Sequence, residues 1–179
     1  CCQNPGAYGD QCEKCGKTLS PSDLIDPKSA LSGNVPVLKP TRNWFLPLDR
    51  LQPKIEAFMD SRQGWKTNVT GQVRSWLQQG LHPRAMTRDL SWGVPVPSQI
   101  PSSEGKVLYV WFDAPIGYIS ATKEYFQQKG DAEGWKKYWS GDDARLVHFI
   151  GKDNIVFHCI IFPSMLMEHG GFVLPDNVP

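Results

Sequence analysis

The sequence has no long apolar run and no excess of charge of one sign. No apolar stretch approaches the roughly 20 residues that a transmembrane helix requires, and the first residues show no secretory signal pattern. The 19 lysines and arginines nearly balance the 18 aspartates and glutamates, for a formal net charge of +1. Overall charge therefore gives no indication of nucleic-acid binding, which would have to rely on local patches. We expect a cytoplasmic protein that does not bind a membrane.

What the sequence does contain is typical of a globular protein. Its 179 residues are 40% hydrophobic and 21% charged, enough to bury one sizeable core or two small ones. Early in the chain, Cys12 and Cys15 form a C-x-x-C pair followed by Gly16, the spacing with which two thiolates of one tight turn bind zinc. Because no secretory signal is present, this spacing favours a metal site over a disulfide.

The segment between the cysteines and Gly80 predicts a mixture of small elements. Ser20 and Pro21 are typical of the start of a short helical turn. The apolar runs Val35 to Leu38 and Trp44 to Leu48 predict short antiparallel strands. From Leu51 onward the apolar residues recur at helical spacing and predict two helices joined by a loop, which we interpret as core packing: Ile55, Phe58 and Met59 in the first, Trp65, Val69, Val73, Trp76 and Leu77 in the second.

The stretch Leu146 to Cys159 predicts a buried strand, a glycine turn and the start of an apolar helix. Such a unit directs Gly151, Lys152 and Asp153 off the carboxyl end of a parallel sheet, where open α/β folds bind ligands. Lys152 could meet a phosphate. Asp153 could accept ribose hydroxyls or simply cap the helix, and the spacing alone does not separate these two roles.

A second strand-turn-helix unit is predicted from Val107 to Ser120, with its turn at residues 113 to 115. Two such units in sequence favour adjacent parallel strands, which would bring chemically useful side chains of both units into one cleft. Those side chains are Trp111, Asp113, Tyr118, Asp153 and His158. No role is predicted for His148, inside the strand, or for His82 and His169, in loops, and Cys159 is predicted to be a buried apolar residue.

The strings WFDAPIGYIS and FIGKDNIVFH together resemble the methionyl-tRNA synthetases, a family of class I aminoacyl-tRNA synthetases. The segment AMTRDLSWGVPVP, which contains Arg88, resembles the run by which this family and its relatives return from an inserted connective peptide to the catalytic domain. The resemblance implies an α/β fold in two parts: an α+β connective peptide at residues 1–105, with a zinc knuckle at about 1–18, and the second half of a Rossmann-like catalytic domain at residues 106–179.

The resemblance also implies site residues. The methionine side chain would contact Trp111, Ala114, Pro115, Tyr118, Ile155 and His158. ATP or the adenylate would contact Arg88, Gly151, Lys152 and Asp153, although Arg88 could instead form a surface pair with Asp89. Zinc would be bound by Cys2, Cys12 and Cys15. In the family pattern the partner of Cys2 lies three residues before it, and an adjacent cysteine such as Cys1 rarely chelates the same ion without strain, so we expect an incomplete site.

Two family motifs are missing from these 179 residues, the HIGH-type tetrapeptide and the KMSKS-type loop. We therefore interpret the chain as an internal fragment of an enzyme that loads L-methionine onto tRNA(Met) with ATP and Mg²⁺, and we expect it to be inactive alone, because this chemistry depends on positioning and electrostatic stabilisation. Two alternatives are a synthetase for leucine, isoleucine or valine, which usually lacks the WFDAPIGY turn, and a non-catalytic zinc module that binds nucleic acid or a partner protein.

Overall fold

The structure is a computed structural model that describes residues 2–7, 12, 14 and 19–179. The chain divides into two compact units, residues 1–41 and 42–179. This division concerns contacts in the folded chain and leaves untested the predicted boundary between insertion and catalytic domain at residues 105 and 106. Within the described residues, no helix is both long and apolar enough to cross a membrane.

The first unit contains one helical turn in its described part. A 3₁₀ helix spans Pro21–Asp23, and the backbone N–H of Ser20 donates to Asp23 Oδ2 at 2.9 Å, which confirms the predicted short turn. The predicted strand from Val35 to Leu38 is wrong. These residues form no strand and pair with no other segment of the described chain, and Val37 and Leu38 are 87% and 90% exposed.

The second unit opens with the two predicted helices, α1 at Leu48–Asp60 and α2 at Thr67–Gln79. α2 ends before Gly80, whose φ of +79° is a conformation that glycine adopts without strain. The apolar faces of both helices pack in one core, together with apolar side chains of residues 155–161. The buried members from α1 and α2 include those predicted from the helical spacing: Ile55, Phe58, Met59, Val69, Val73 and Leu77.

Two small antiparallel sheets follow. β1, Phe45–Leu46, pairs with β2, Arg84–Ala85, so the strand predicted at Trp44 to Leu48 is present but shorter. β3, Thr87–Arg88, pairs with β4, Val107–Leu108, and Pro95 also bridges to Val107. Gly93 makes this approach possible, since a Cβ there would lie 3.1 Å from the Val107 side chain.

The segment after β4 differs from the predicted strand. The chain turns at once into α3, Val110–Asp113, and continues into α4, Ile116–Gln128, and α5, Lys136–Trp139. Trp111 therefore lies on a helical turn instead of at a strand end. β4 pairs antiparallel with β3, so the expected parallel pairing of β4 with the strand at Leu146 is wrong. Short apolar runs are compatible with either helix or strand, and this one is helical from its fourth residue.

The predicted strand-turn-helix at Leu146 is present in outline. β5, Leu146–Val147, pairs parallel with β6, Pro175–Asn177. A 3₁₀ turn at Lys152–Asn154 leads into a π-helical segment, Phe157–Ile161, and then into α6, Phe162–His169. The backbone N–H of Phe162 donates to Phe157 O, and Pro163 has no N–H with which to bond one turn back. The last helical segment is mixed because of this proline.

We expect Ile55→Ala to lower the free energy of unfolding by about 2–5 kcal/mol, because Ile55 of α1 is fully buried in the core that α1 forms with α2 and the last helical segment. The neighbouring Lys54→Ala is the matched control. Its Nζ lies 2.6 Å from Glu168 Oε1, but both side chains are about half exposed, so the loss should stay below about 1 kcal/mol. Urea denaturation of this chain measures both, and equal losses would contradict the assigned core.

Candidate functional site

Tyr118 and His158 form the centre of the candidate site. The Tyr118 hydroxyl lies 3.0 Å from His158 Nε2, which joins α4 to the π-helical segment. His158 is buried, whereas the Tyr118 side chain is 48% exposed. This hydrogen bond brings together two of the residues that the sequence assigned to one cleft, although they are 40 positions apart.

The hydrogen bonds of His158 determine where its proton lies. Nδ1 is 3.1 Å from the carbonyl oxygen of Asn154, which can only accept, so Nδ1 carries the hydrogen. Burial lowers the pKa of His158 below its usual value, while the bond to Asn154 opposes this effect. A neutral ring protonated at Nδ1 has a bare Nε2, and the Tyr118 hydroxyl therefore donates to it. Both side chains satisfy each other and present no charge.

Trp111 borders the site from α3. Its ring contacts Phe157 edge to face, with 6.2 Å between ring centroids, and 55% of Trp111 is exposed. Beside this pair is an apolar crevice of about 10 Å³, enough for one water molecule and too small for an amino-acid side chain. Its walls come from β1, β2, α3 and the π-helical segment: Leu46, Arg84, Ala85, Tyr109, Trp111, Phe112, Phe157 and Ile161. A ligand that contacts Trp111 would therefore use the exposed part of its ring.

The remaining predicted methionine contacts differ in accessibility. Ala114 is exposed, whereas Pro115 is fully buried and Ile155 is 3% exposed within the core around α1 and α2. Ile155 and Pro115 therefore support the backbone of the site and offer little surface to a ligand in this conformation. Asp113 is half-buried, and within the described chain no hydrogen bond or ion pair joins it or Asp153 to the Tyr118–His158 pair.

Arg88 lies next to the crevice. Its guanidinium is 3.7 Å from the centroid of the Tyr109 ring, and Nη1 donates to Thr87 O at 2.9 Å. Asp89, which the alternative interpretation paired with Arg88, instead lies 2.5 Å from Lys106 Nζ. Arg88 thus has no carboxylate partner within the described residues, and its charge is held in place by an aromatic ring and backbone carbonyls.

The other three residues predicted to contact ATP, Gly151, Lys152 and Asp153, are on one accessible turn. Gly151 precedes the 3₁₀ turn and Lys152, Asp153 and Asn154 form it, and all four are exposed. Asp153 lies inside this turn and is exposed, and its role as a helix cap or a ribose contact stays a prediction. Its carboxylate is available to a ligand.

The sequence reasoning missed two residues, Phe157 and His148. Phe157 supports Trp111 and is adjacent to His158, so its place in the sequence motif was a usable signal. His148 follows β5 and is 6% exposed. Its ring lies 4.9 Å from the His158 ring, and neither of its nitrogens has a hydrogen-bond partner among the described residues. Only the fold brings these two histidines together, and no sequence pattern indicates it.

The electrostatics of the other buried groups are consistent with a neutral site. Burial, and secondarily the charge of a protonated His158, lowers the pKa of His148 to about 4. Burial raises the pKa of the Cys159 thiol to about 12, so this cysteine is an inert core residue, as the sequence predicted.

In the first unit, Cys2 Sγ and Cys12 Sγ are 3.4 Å apart. Cys15 lies outside the described residues.

The lowered pKa of His148 predicts a pH-dependent stability. Unfolded histidine binds a proton near pH 6.5, whereas folded His148 does so only near pH 4. Acid therefore favours the unfolded state, and the free energy of unfolding falls as the pH drops from 6.5 to about 4. We expect the unfolding free energy of the wild type to fall by about 3 kcal/mol more than that of His148→Phe over this range. Urea denaturation at several pH values measures the difference, and parallel curves would contradict it.

Comparisons with known proteins identify the family of the chain. The family model "tRNA synthetases class I (M)" matches residues 1–179. The methionine–tRNA ligase of Cytophaga hutchinsonii is 61% identical over 99% of this chain and 26% of its own length, and that of Salinibacter ruber is 59% identical over 97% of this chain and 25% of its own length.

Among solved structures, Mycobacterium tuberculosis methionyl-tRNA synthetase in complex with methionyl-adenylate is similar, with a TM-score of 0.66 and 25% identity over 90% of this chain and 31% of that one. Its apo form gives a TM-score of 0.60 and 27% identity over 76% and 26%. The chain spans about a quarter of the length of the curated relatives it matches. Because the family model covers all 179 residues, the chain belongs to the class I tRNA synthetases of the methionine type.

Proposed function

We propose that this chain is part of a cytoplasmic methionine–tRNA ligase, which activates L-methionine with ATP to methionyl-adenylate and then transfers the methionyl group to tRNA(Met). Relatives that carry this name are about 60% identical over nearly the whole chain. They also weigh against a synthetase for leucine, isoleucine or valine. One observation supports a methionine site at particular residues: Tyr118 and His158 are hydrogen-bonded beside the half-exposed ring of Trp111.

This arrangement suits a thioether side chain. Methionine is flexible, apolar and polarizable, and its sulfur is only a weak acceptor. An aromatic surface offers it contact area and sulfur–ring contacts worth about 0.3–1.5 kcal/mol. Because the Tyr118 hydroxyl donates to His158, the pair offers no unsatisfied donor that would demand a stronger acceptor. We therefore assign Trp111, Tyr118 and His158 to the methionine side chain, with Ala114, Pro115 and Ile155 supporting them.

For ATP, the proposal uses the exposed turn at residues 151–154. The Lys152 ammonium can bind a phosphate, and the Asp153 carboxylate can accept ribose hydroxyls, with Gly151 at the start of the turn. Arg88, held over Tyr109, can pair with the substrate carboxylate or the adenylate phosphate. In the proposed reaction a methionine carboxylate oxygen attacks the α-phosphorus of ATP, and the bond from this phosphorus to the bridging oxygen breaks as pyrophosphate leaves. Mg²⁺ bound to the phosphates would neutralise their charge. These residues would act by binding and orientation, which is what this transfer requires.

The cysteines of the first unit partly fit a structural zinc ion. At Zn–S distances near 2.3 Å, two thiolates of a tetrahedral site are about 3.8 Å apart, and the observed 3.4 Å between Cys2 and Cys12 is close to this value. Among the described residues, no three histidine, cysteine or carboxylate side chains gather as a metal site. We propose that Cys15 supplies a further thiolate and that zinc holds this unit together.

We expect one zinc ion per chain in the complete enzyme, and substoichiometric zinc after Cys12→Ser, because the remaining thiolates cannot complete a tetrahedral site. Cys159→Ala is the control, since Cys159 is buried in the core of the other unit and should leave the zinc content unchanged. Elemental analysis after dialysis measures both. A wild-type protein without stoichiometric zinc would refute the zinc proposal and leave the catalytic one standing.

Methionine-dependent exchange of pyrophosphate into ATP tests the proposed function. We expect exchange from the complete enzyme and none from these 179 residues alone. In the complete enzyme, Trp111→Ala should raise the KM for methionine at least about tenfold more than the KM for ATP, a selectivity of about 1.4 kcal/mol, because Trp111 lies on the amino-acid side.

Trp92→Ala is the matched control for that experiment, because Trp92 is 86% exposed in the loop before β4 and should change neither KM. Thermal unfolding of each variant separates binding from stability. Equal effects of Trp111→Ala on both substrates, or a purely thermal phenotype, would show that the methionine site is wrongly assigned. Absence of exchange from the wild-type enzyme would overturn the function itself.

A further inference from the structure

The buried ring of His148 has no part in the site described so far. It contacts two rings, His158 at 4.9 Å and Phe162 at 6.0 Å between centroids, and both of its nitrogens are buried without a partner in the described chain. An unpartnered buried polar group destabilises a fold, so hydrogen bonding does not account for this side chain. What His148 supplies in this position is a ring packed against His158.

We infer that His148 is a positioning residue for the Tyr118–His158 pair, a fixed wall that holds the His158 ring with Nδ1 at the Asn154 carbonyl and Nε2 at the Tyr118 hydroxyl. The inference rests on the proposed function only for its kinetic consequence. His148 does not touch the reacting atoms in this assignment. It acts through His158, and the structural part of the inference can be tested without any substrate.

The position of His148 is itself fixed by the parallel strand pair. Its backbone N–H donates to the carbonyl oxygen of Asn177 at 3.0 Å, immediately after the β5–β6 pairing. Phe162 contacts His148 from one side and Tyr118, at 6.2 Å, from another. The contacts from β6 through His148 to His158 are therefore continuous. They restrain a ring that also makes two hydrogen bonds and ring contacts with Tyr118 and Phe157.

Ring packing adds to the restraint that the two hydrogen bonds place on His158. Rotation of the ring about its Cβ–Cγ bond puts carbon where nitrogen was and breaks both hydrogen bonds, and this loss is smaller where water can replace the lost partners. With the His148 ring in place, the space beside His158 is filled and water is excluded, as its low exposure shows. Removing the His148 ring would open space for rotation and for water, which offers competing partners to both nitrogens.

The first test is spectroscopic and uses the complete enzyme with ¹⁵N-labelled histidines. Long-range ¹H–¹⁵N spectra should show His158 neutral and protonated at Nδ1 at pH 7, with its signals identified by their loss in His158→Asn. His148→Phe, which keeps a ring of similar width, should preserve this signature. His148→Ala should shift His158 towards a mixture of tautomers. An unchanged His158 signature in His148→Ala would overturn the inference.

The second test measures kinetics in the complete enzyme. We expect His148→Ala to raise the KM for methionine about tenfold while the KM for ATP stays within about twofold, and His148→Phe to restore the methionine KM to within about threefold of wild type. Leu166→Ala is the matched control, because Leu166 is 2% exposed in the same cluster as Phe162 and its loss destabilises the cluster without removing the wall.

The outcomes separate the two proposals. A methionine KM raised equally by His148→Phe and His148→Ala would mean that the nitrogens act and not the ring, which overturns the positioning role. An effect of Leu166→Ala as large as that of His148→Ala would reduce His148 to a general stability residue and would also overturn it. If the wild-type enzyme showed no methionine-dependent exchange, the proposed function would fail, while the spectra would still decide whether His148 positions His158.

Discussion

The second unit depends on the burial of one helical segment, residues 155 to 166. Ile155, Cys159 and Ile160 pack into the core formed with α1 and α2, whereas Phe162 and Leu166 pack into a second cluster with Ile119 of α4 and Trp139 of α5. A segment that is apolar on nearly all sides is unstable in water, so helices of both clusters must cover it. The site is built where this segment begins.

The irregular hydrogen bonding of that segment serves the site. Pro163 removes one backbone donor, and beside it Ser164 Oγ donates to Ile160 O at 2.5 Å, a side-chain hydrogen bond one turn back. The preceding turn is π-helical, and a wider turn separates the directions of consecutive side chains less than an α-helix does. Phe157 and His158 can therefore face α3 and α4 together, the first against Trp111 and the second against Tyr118.

Sequence reasoning succeeded where periodicity extends over several turns and failed where an element is only two residues long. α1 and α2 were predicted with their core residues because each repeats its apolar positions over 13 residues. At Val107, an apolar run long enough for a strand instead forms a two-residue strand and a helical turn. β3 and Pro95 pair with the chain only at Val107 and Leu108. The sequence predicted no role for His148. Its contact with His158 arises only in the folded chain, after the turn at 152–154, and no local pattern indicates it.

If Tyr118 and His158 contact the methionine side chain, as we propose, their mutual hydrogen bond has a consequence for selectivity. Glutamine has about the length of methionine but carries an amide that must keep its hydrogen bonds. In a site where the one hydroxyl proton is already directed at His158 Nε2, that amide would lose water and gain no donor, a cost of about 1–3 kcal/mol. Methionine loses almost nothing, since its sulfur is a weak acceptor. Neutrality at His158 is the condition for this discrimination. A protonated Nε2 would itself donate to the Tyr118 oxygen and turn the hydroxyl proton outward, towards the acceptors that the site should exclude.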